Sequence, residues 1–387
     1  MKRIYLDHTA TTPVDPRVVK AMQPYFSEDF GNASSIHNFG QRARAALDES
    51  RDRIASLLGA KTGEFAFTGS GTEADNFAIK GAAWKMRARG KSHVITSSAE
   101  HHAVLESCDY LQHNGFRVTC LPVDRYGIVN PDNVRKAIEP DTGLVSIMHV
   151  NNEVGSINPV RMIGSVTREQ GILFHTDAVQ SFGKIPVTVD DLGVDLLSVS
   201  SHKVYGPKGI GGLYIRKGVE LDQLIHGGGQ ERGRRAGTEN VALAVGFAEA
   251  ASIICAEREK MYADMTTLKQ RLLSLLEKEF PAVTVNGHPV NSLPHILNVS
   301  FDSNRIEIDG EALLFNLDMA GIAVASGSAC TSGSIAPSHV LLAMGRDPQT
   351  ARATIRFSPG RATTPEDIDN TVAALKEIVG RIATFKV

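Results

Sequence analysis

The chain has 387 residues, 42% apolar and 22% charged, a balance typical of a soluble globular protein long enough for two domains. Its 41 Lys and Arg against 43 Asp and Glu argue against nucleic acid as a partner. No apolar run approaches the roughly 20 residues that cross a bilayer, and residues 1–7 lack a signal-peptide pattern, so the expectation is a cytoplasmic protein without membrane association.

The N-terminal Ile4-Tyr5-Leu6-Asp7-His8-Thr9-Ala10-Thr11-Thr12-Pro13 is too short to fold alone and is expected to pack on the C-terminal part. From about residue 60 to 216, short apolar strands at 65–68, 93–96, 118–123, 144–150, 172–175, 196–199 and 212–215 alternate with helical patterns. One helix starts near Thr72, with Ala74, Phe77, Ala78 and Ala82 on one face; another carries Val104, Leu105, Cys108 and Leu111. This alternation predicts a mostly parallel sheet covered on both faces, with ligands beyond the carboxyl ends of its strands. A long helical pattern then runs from Asn240 to about Lys278, and a second strand-and-helix unit begins at 296–301.

Four cysteines, Cys108, Cys120, Cys255 and Cys330, stand far apart, and no CxxC pair signals zinc or a dithiol. The first three lie in helix-like or strand-like patterns and read as buried, inert thiols. Cys330 sits instead in Ala325-Ser326-Gly327-Ser328-Ala329-Cys330-Thr331-Ser332-Gly333-Ser334, a run of small residues that reads as an exposed, mobile loop.

Several strand ends carry candidate chemistry. Thr68-Gly69-Ser70-Gly71-Thr72-Glu73 joins a strand to a helix; its glycines and free helix-start amides suit a phosphate, though a plain helix cap reads as well. Asp177 in His175-Thr176-Asp177-Ala178-Val179-Gln180 can pair with a pyridinium nitrogen, and Gln180 with a ring hydroxyl. His101, in Glu100-His101-His102, can stack on a ring and exchange protons. Asn152 follows another strand, and Arg356, within the apolar Ile355-Arg356-Phe357, needs an anionic partner such as a carboxylate. The run Leu196-Leu197-Ser198-Val199-Ser200-Ser201-His202-Lys203 delivers a lysine at a strand end, where desolvation makes its amine a usable Schiff-base nucleophile. Lys184 and Lys208 compete for that role; both lie outside this hydroxyl and histidine setting.

Together and in order, Tyr5-Leu6-Asp7 with Ala10-Thr11-Thr12, Gly31-Asn32-Ala33-Ser34-Ser35-Ile36-His37, Gly71-Thr72-Glu73, Glu100-His101, His149-Val150-Asn151-Asn152-Glu153, His175 to Gln180, Ser201-His202-Lys203, Gly233-Arg234-Arg235-Ala236-Gly237-Thr238 and Ser326 to Ser332 make the chain recognisable. It closely resembles the cysteine desulfurases of the NifS/IscS type, class V members of the fold-type I pyridoxal-phosphate enzymes, over essentially its whole length. The resemblance implies an α/β fold-type I transferase. Its large cofactor-binding domain, residues 14–257, is built on a mostly parallel seven-stranded sheet. A smaller α+β domain, residues 1–13 and 258–387, carries the Cys330 loop.

It further implies that Lys203 holds pyridoxal 5′-phosphate as a Schiff base, that Asp177 binds the pyridine nitrogen and Gln180 the ring oxygen, and that His101 stacks over the ring. Gly71, Thr72, Ser200 and His202 would hold the phosphate, with Thr238 arriving from the second subunit of a homodimer. Asn152 would touch cofactor and substrate, and with Arg356 bind the substrate carboxylate. Lys203, His101 and Cys330 would be catalytic: L-cysteine gives L-alanine and a persulfide on Cys330. An iron–sulfur scaffold protein or another acceptor, for nitrogenase or tRNA thiolation, would take the sulfur onward. No metal is implied.

His8 and Thr9 stand where the family usually has two asparagines, and Ala33 where it often has proline. Pro337-Ser338-His339-Val340 after the cysteine loop resembles the NifS/IscS branch more than the short-loop SufS branch. Selenocysteine lyase or another pyridoxal-phosphate β-lyase is the neighbouring reading. A non-catalytic sulfur-trafficking scaffold is the reading outside enzymes, and intact Lys203, Asp177, His101 and Cys330 argue against it.

Overall fold

A short strand β1 (Ile4–Tyr5) precedes the main sheet, whose strands are β2 (Phe65–Thr68), β3 (His93–Ser97), β4 (Arg117–Leu121), β5 (Thr142–Ser146), β6 (Leu173–Asp177), β7 (Leu196–Ser200) and β8 (Gly211–Ile215). The computed structural model describes residues 3–326 and 336–385. The sheet runs β2-β8-β7-β6-β5-β3-β4. Strands β3 to β7 pair in parallel, and β8 runs antiparallel to both β7 and β2.

Neighbouring strand residues serve opposite faces, as the two-residue period of a strand demands. Ile95, Val145 and Leu197 join one apolar core, shared with helices Asn38–Leu57 and Val241–Ala256. Val94, Leu144 and Leu196 join the other, under helices Gly71–Arg87 and His102–His113. With both faces covered, β5, β7 and β8 are buried at every position. The edge strand β4 is different. Cys120 lies on it and is exposed, so the expectation of a buried thiol fails there; Cys108 is buried and Cys255 partly so.

The C-terminal part has its own sheet of β9 (Val283–Asn286), β10 (Leu297–Phe301) and, past β11 (Ile306–Glu307) and β12 (Ile322–Ala323), β13 (Thr354–Phe357), in the antiparallel order β13-β10-β9. Helices Arg258–Glu279, Gly310–Met319 and Pro365–Ile382 cover it and share a separate core. Ile4 and Leu6 belong to that core, and β1 pairs in parallel with β12, as expected of the N-terminal segment.

The helical pattern after Asn240 is two helices, Val241–Ala256 and Arg258–Glu279, and not one. Gly246 does not interrupt it. A Cβ there would come within 2.5 Å of Met22 Sδ, so glycine permits close packing of helix Pro16–Met22. The break falls at Glu257, which carries neither Pro nor Gly; its carboxylate pairs with Arg17 at 2.8 Å and Arg361 at 3.0 Å. No local signal marks that boundary, and the partners of Glu257 lie far away in sequence.

Candidate active site

The carboxyl ends of β6 and β7 deliver the central groups. Asp177 ends β6, and a 3-10 turn, Ser201–Lys203, follows β7. The backbone after Lys203 is pinned by the N-terminal segment. Thr12 N–H and Oγ1 both donate to the His202 carbonyl, at 3.0 and 2.9 Å, and Thr12 Oγ1 accepts from Tyr205 N–H at 2.8 Å. Tyr205 has φ 64°, an uncommon conformation for a non-glycine residue, held by these contacts and by Arg361 N–H on its hydroxyl at 3.0 Å.

Lys203 Nζ donates to the carbonyls of Thr9 at 2.6 Å and Ala10 at 2.8 Å. Burial, then the nearby Arg356 guanidinium, brings its pKa down to about 8. Asp177 is buried and accepts Val179 N–H at 2.8 Å through one oxygen, leaving the other for the cavity. Burial raises its pKa. Asp75, on helix Gly71–Arg87, lines the same cavity, and burial and the Asp177 charge push it further up, so the pair favours one proton on Asp75.

His101 caps helix His102–His113: its Nδ1 accepts Ala103 N–H at 3.1 Å, which leaves the ring proton on Nε2. The ring is accessible from the cleft, yet the atoms around it, then positive Lys203 and His102, push its pKa down to about 4. It is a neutral imidazole. Behind it, the buried Glu100 accepts Met148 N–H through both oxygens at 3.0 Å and Ser97 Oγ–H at 2.7 Å, and burial raises its pKa to about 8.

At the other end of the cavity, helix Gly71–Arg87 presents its first amides. Ser70 Oγ caps it by accepting Glu73 N–H at 3.0 Å. A Cβ on Gly71 would meet Val179 Cγ2 at 2.9 Å and Ser200 Cβ at 3.2 Å, so this position is kept narrow. Ser200 Oγ is buried without a partner. Across the cleft, Arg356 Nη2 donates to Asp7 Oδ1 and Nη1 to the Asn152 carbonyl, both at 3.0 Å, while its buried Nε and the Asn152 Oδ1 have no partner.

One cavity of about 480 Å³ is therefore lined by Gly71, Thr72, His101, Asn152, Asp177, Gln180, Ser200, His202, Lys203 and Arg356, nearly the whole set expected from the sequence. Thr238 is not among them; it is exposed in a separate cleft with Gly69 and Arg235. Cys330 lies outside the described residues. Two residues near the site were missed. Asp75 lies four residues after Gly71, an acid on an otherwise apolar helix face between Ala74 and Phe77, and that interruption is a legible signal. Lys184, read as lying away from the site, is buried and donates to Gln180 Oε1 at 2.9 Å; only the turn that folds residues 178–184 back on themselves brings it there.

A buried carboxylate with one oxygen open to the cavity, a strand-end amine, and a helix start beside an orphaned serine hydroxyl are groups that suit a pyridoxal-phosphate enzyme. The chain belongs to the aminotransferase class-V family, whose model matches residues 4–371. Among its relatives, the cysteine desulfurase IscS of Dictyoglomus turgidum is 49% identical over 386 residues, which is 100% of this chain and 97% of that protein. Among solved structures, a NifS-like protein superposes with a TM-score of 0.91 at 39% identity, covering 98% of this chain and 100% of that one. SspA in complex with cysteine superposes with a TM-score of 0.82 at 41% identity, covering 92% and 98%. The cofactor of this enzyme is pyridoxal 5′-phosphate. The residues present fit it: the unpartnered Ser200 Oγ and the narrow Gly71 helix start suit a phosphate, and the free Asp177 oxygen suits a ring nitrogen.

Proposed function

We propose that the chain is a cysteine desulfurase that moves the sulfur of L-cysteine onto Cys330, releasing L-alanine. The observation that carries this reading is the single cavity in which the Lys203 amine faces Asp177 on one side and the incompletely paired Arg356 on the other. When bound, pyridoxal phosphate supplies the electron sink that makes bonds at the amino acid's Cα and Cβ labile.

This chain's residues supply the rest. Lys203, with its pKa near 8, is in part a free amine at neutral pH and takes the α-proton, then returns it. The Thr9 and Ala10 carbonyls aim that amine. Asp177 holds the ring nitrogen and His101 covers the ring face, its Nε2–H ready to pass a proton to or from a thiol. Gly71, Thr72, Ser200 and His202 hold the phosphate. Arg356 and Asn152 hold the substrate carboxylate. The Cys330 thiolate attacks the substrate sulfur: the S–S bond forms as the C–S bond breaks, the electron pair stays with carbon, and a proton on that carbon completes alanine.

Thr238 completes the phosphate site from a second subunit, making the enzyme a homodimer; its place in a cleft other than this chain's own cavity supports that reading. The two-domain division, residues 14–257 against 1–13 with 258–387, is supported by two main cores that part between Met261 and Met265, a few residues past that boundary, with a smaller cluster joining Ala99 and Val154 to Val340 and Leu341 across it. The persulfide passes to an iron–sulfur scaffold protein or another acceptor in the cytoplasm. No helix among the described residues is long and apolar enough to cross a membrane.

The test is L-cysteine with the holoenzyme. Alanine should form, and mass spectrometry should map one added sulfur to Cys330. C330A should stay yellow but lose persulfide and most alanine release. Undiminished turnover by C330A, or a persulfide confined to Cys108, Cys120 or Cys255, refutes the sulfur-acceptor role.

A further inference from the structure

Lys184 takes part in none of the chemistry above, yet it is 5% exposed and one hydrogen bond from the site. Its Nζ donates to Gln180 Oε1 at 2.9 Å; Gln180 Nε2 donates to the Thr9 carbonyl at 3.2 Å; and that same carbonyl accepts from Lys203 Nζ at 2.6 Å. The direction of this relay is forced. A charged lysine has only donors, and a neutral one still has two N–H groups, while a backbone carbonyl can only accept. Gln180 must therefore turn its oxygen to Lys184 and its nitrogen to Thr9. Its second N–H is left for the cavity that Gln180 lines.

We propose that Lys184 is a positioning residue: it locks the Gln180 amide so that Gln180 meets the cofactor's ring oxygen only as a donor, and thereby sets the pH at which the Lys203-linked cofactor gives up its proton. This rests on the reading that Gln180 faces the ring oxygen. A donor held against that oxygen favours its ionised form and partly neutralises it. The oxygen then attracts the proton on the neighbouring Lys203 nitrogen less, and the proton leaves at lower pH. Without Lys184 only the 3.2 Å contact to the Thr9 carbonyl holds the amide, and a flip that Lys184 prevents turns its oxygen toward the ring, where two acceptors repel.

The groups acting on Lys184 come from every element around it. Lys203 and His202 belong to the turn after β7, Arg356 to β13, His8 to the N-terminal segment, and His295 precedes β10. Asp177, from the end of β6, and Asp7 act on Lys203. Among the described residues no carboxylate lies within ion-pair distance of Lys184, so its donor goes to Gln180. Burial, then Lys203 and Arg356, holds its pKa down to about 7.

The experiment is a pH titration of the yellow absorption band of substrate-free holoenzyme, with K184M, Q180A and the double variant. K184M and Q180A should each raise the midpoint by about one pH unit. The double variant should move no further than Q180A, because Lys184 acts through Gln180. K184R, which keeps a donor, should largely restore the parent midpoint. A K184M midpoint equal to the parent's while Q180A moves overturns the inference, as do shifts that add in the double variant, which would mark a direct charge effect. An unmoved Q180A removes the ring-oxygen reading itself and the inference with it. Should K184M not fold, K184L, which likewise has no donor, replaces it with the same expectations.

Discussion

The cofactor side of the cleft and its substrate side rest on different supports. Asp177 and Ser200 end two neighbouring strands in the middle of the seven-stranded sheet, which lies between two cores, and Gln180 and Lys203 follow them. Arg356 stands on an outer strand of the small three-stranded sheet and is steadied by Asp7 of the N-terminal segment, part of the other core. The electrostatics follow the supports. On the cofactor side burial dominates: Lys203 falls to about 8, His101 to about 4, and Asp177 rises. On the substrate side a cation is paired with a carboxylate, and one donor is left over. Tuning protons takes a rigid, dry scaffold; catching a carboxylate takes a cation on a separate body.

Breaking the cofactor side should have the largest effect. Lys203→Ala should lose the yellow lysine-linked band and slow alanine formation by about 10³-fold or more, the scale of a lost acid–base group that also carries the cofactor. Retention of both band and rate would contradict its assignment. Arg356→Lys should leave the band intact and lower kcat/KM for L-cysteine by about 10²-fold, chiefly through KM, because an ammonium cannot give the planar two-point contact. An unchanged KM would mean that the substrate carboxylate is held elsewhere.

Ser200→Ala tests the phosphate end with a smaller effect. Removing an otherwise unpartnered hydroxyl should weaken cofactor retention by about tenfold, read as release of pyridoxal phosphate on dilution. Equal retention would place the phosphate away from Ser200.

The smallest effect is on stability against pH, and it sharpens the contrast because the responsible groups cluster on the sheet side. Burial raises Glu100 to about 8 and Glu153 to about 7. Their contribution is full below the unfolded carboxyl pKa and is lost as pH rises from about 4.5 through those values. Burial lowers His149 to about 4 and His175 to about 3. Their contribution is present above about 6.5 and is lost as pH falls through that window. The melting temperature should therefore peak at mildly acidic pH and fall on both sides. Glu153→Gln, which also keeps a partner for Ser338 Oγ, should flatten the alkaline limb. A limb as steep as the parent's would exclude Glu153 from it.

Much of this arrangement is legible along the chain. The strands were visible because each is a short apolar run before a turn, and β5 to β8 needed only a covered sheet to explain their composition. Lys203, Asp177 and the Gly71 turn were visible because polar residues of definite chemistry interrupt apolar runs at strand ends. Cys120 was misread, since a strand pattern does not say whether the strand is central or at the edge. The break at Glu257 could not be foreseen, because it carries neither Pro nor Gly and its ion-pair partners Arg17 and Arg361 lie far away in sequence.

Local periodicity by itself determined the α/β class, and the ordered motifs, through their resemblance to a known family, implied the pyridoxal-phosphate chemistry and most of the residues that line the cavity. The tertiary structure alone decided which of those groups lack a partner, that Thr9 receives both Lys203 and Gln180, and that Lys184 stands behind the site. These are facts of distance, burial and hydrogen-bond direction between segments far apart in the chain, and no spacing along the sequence encodes them.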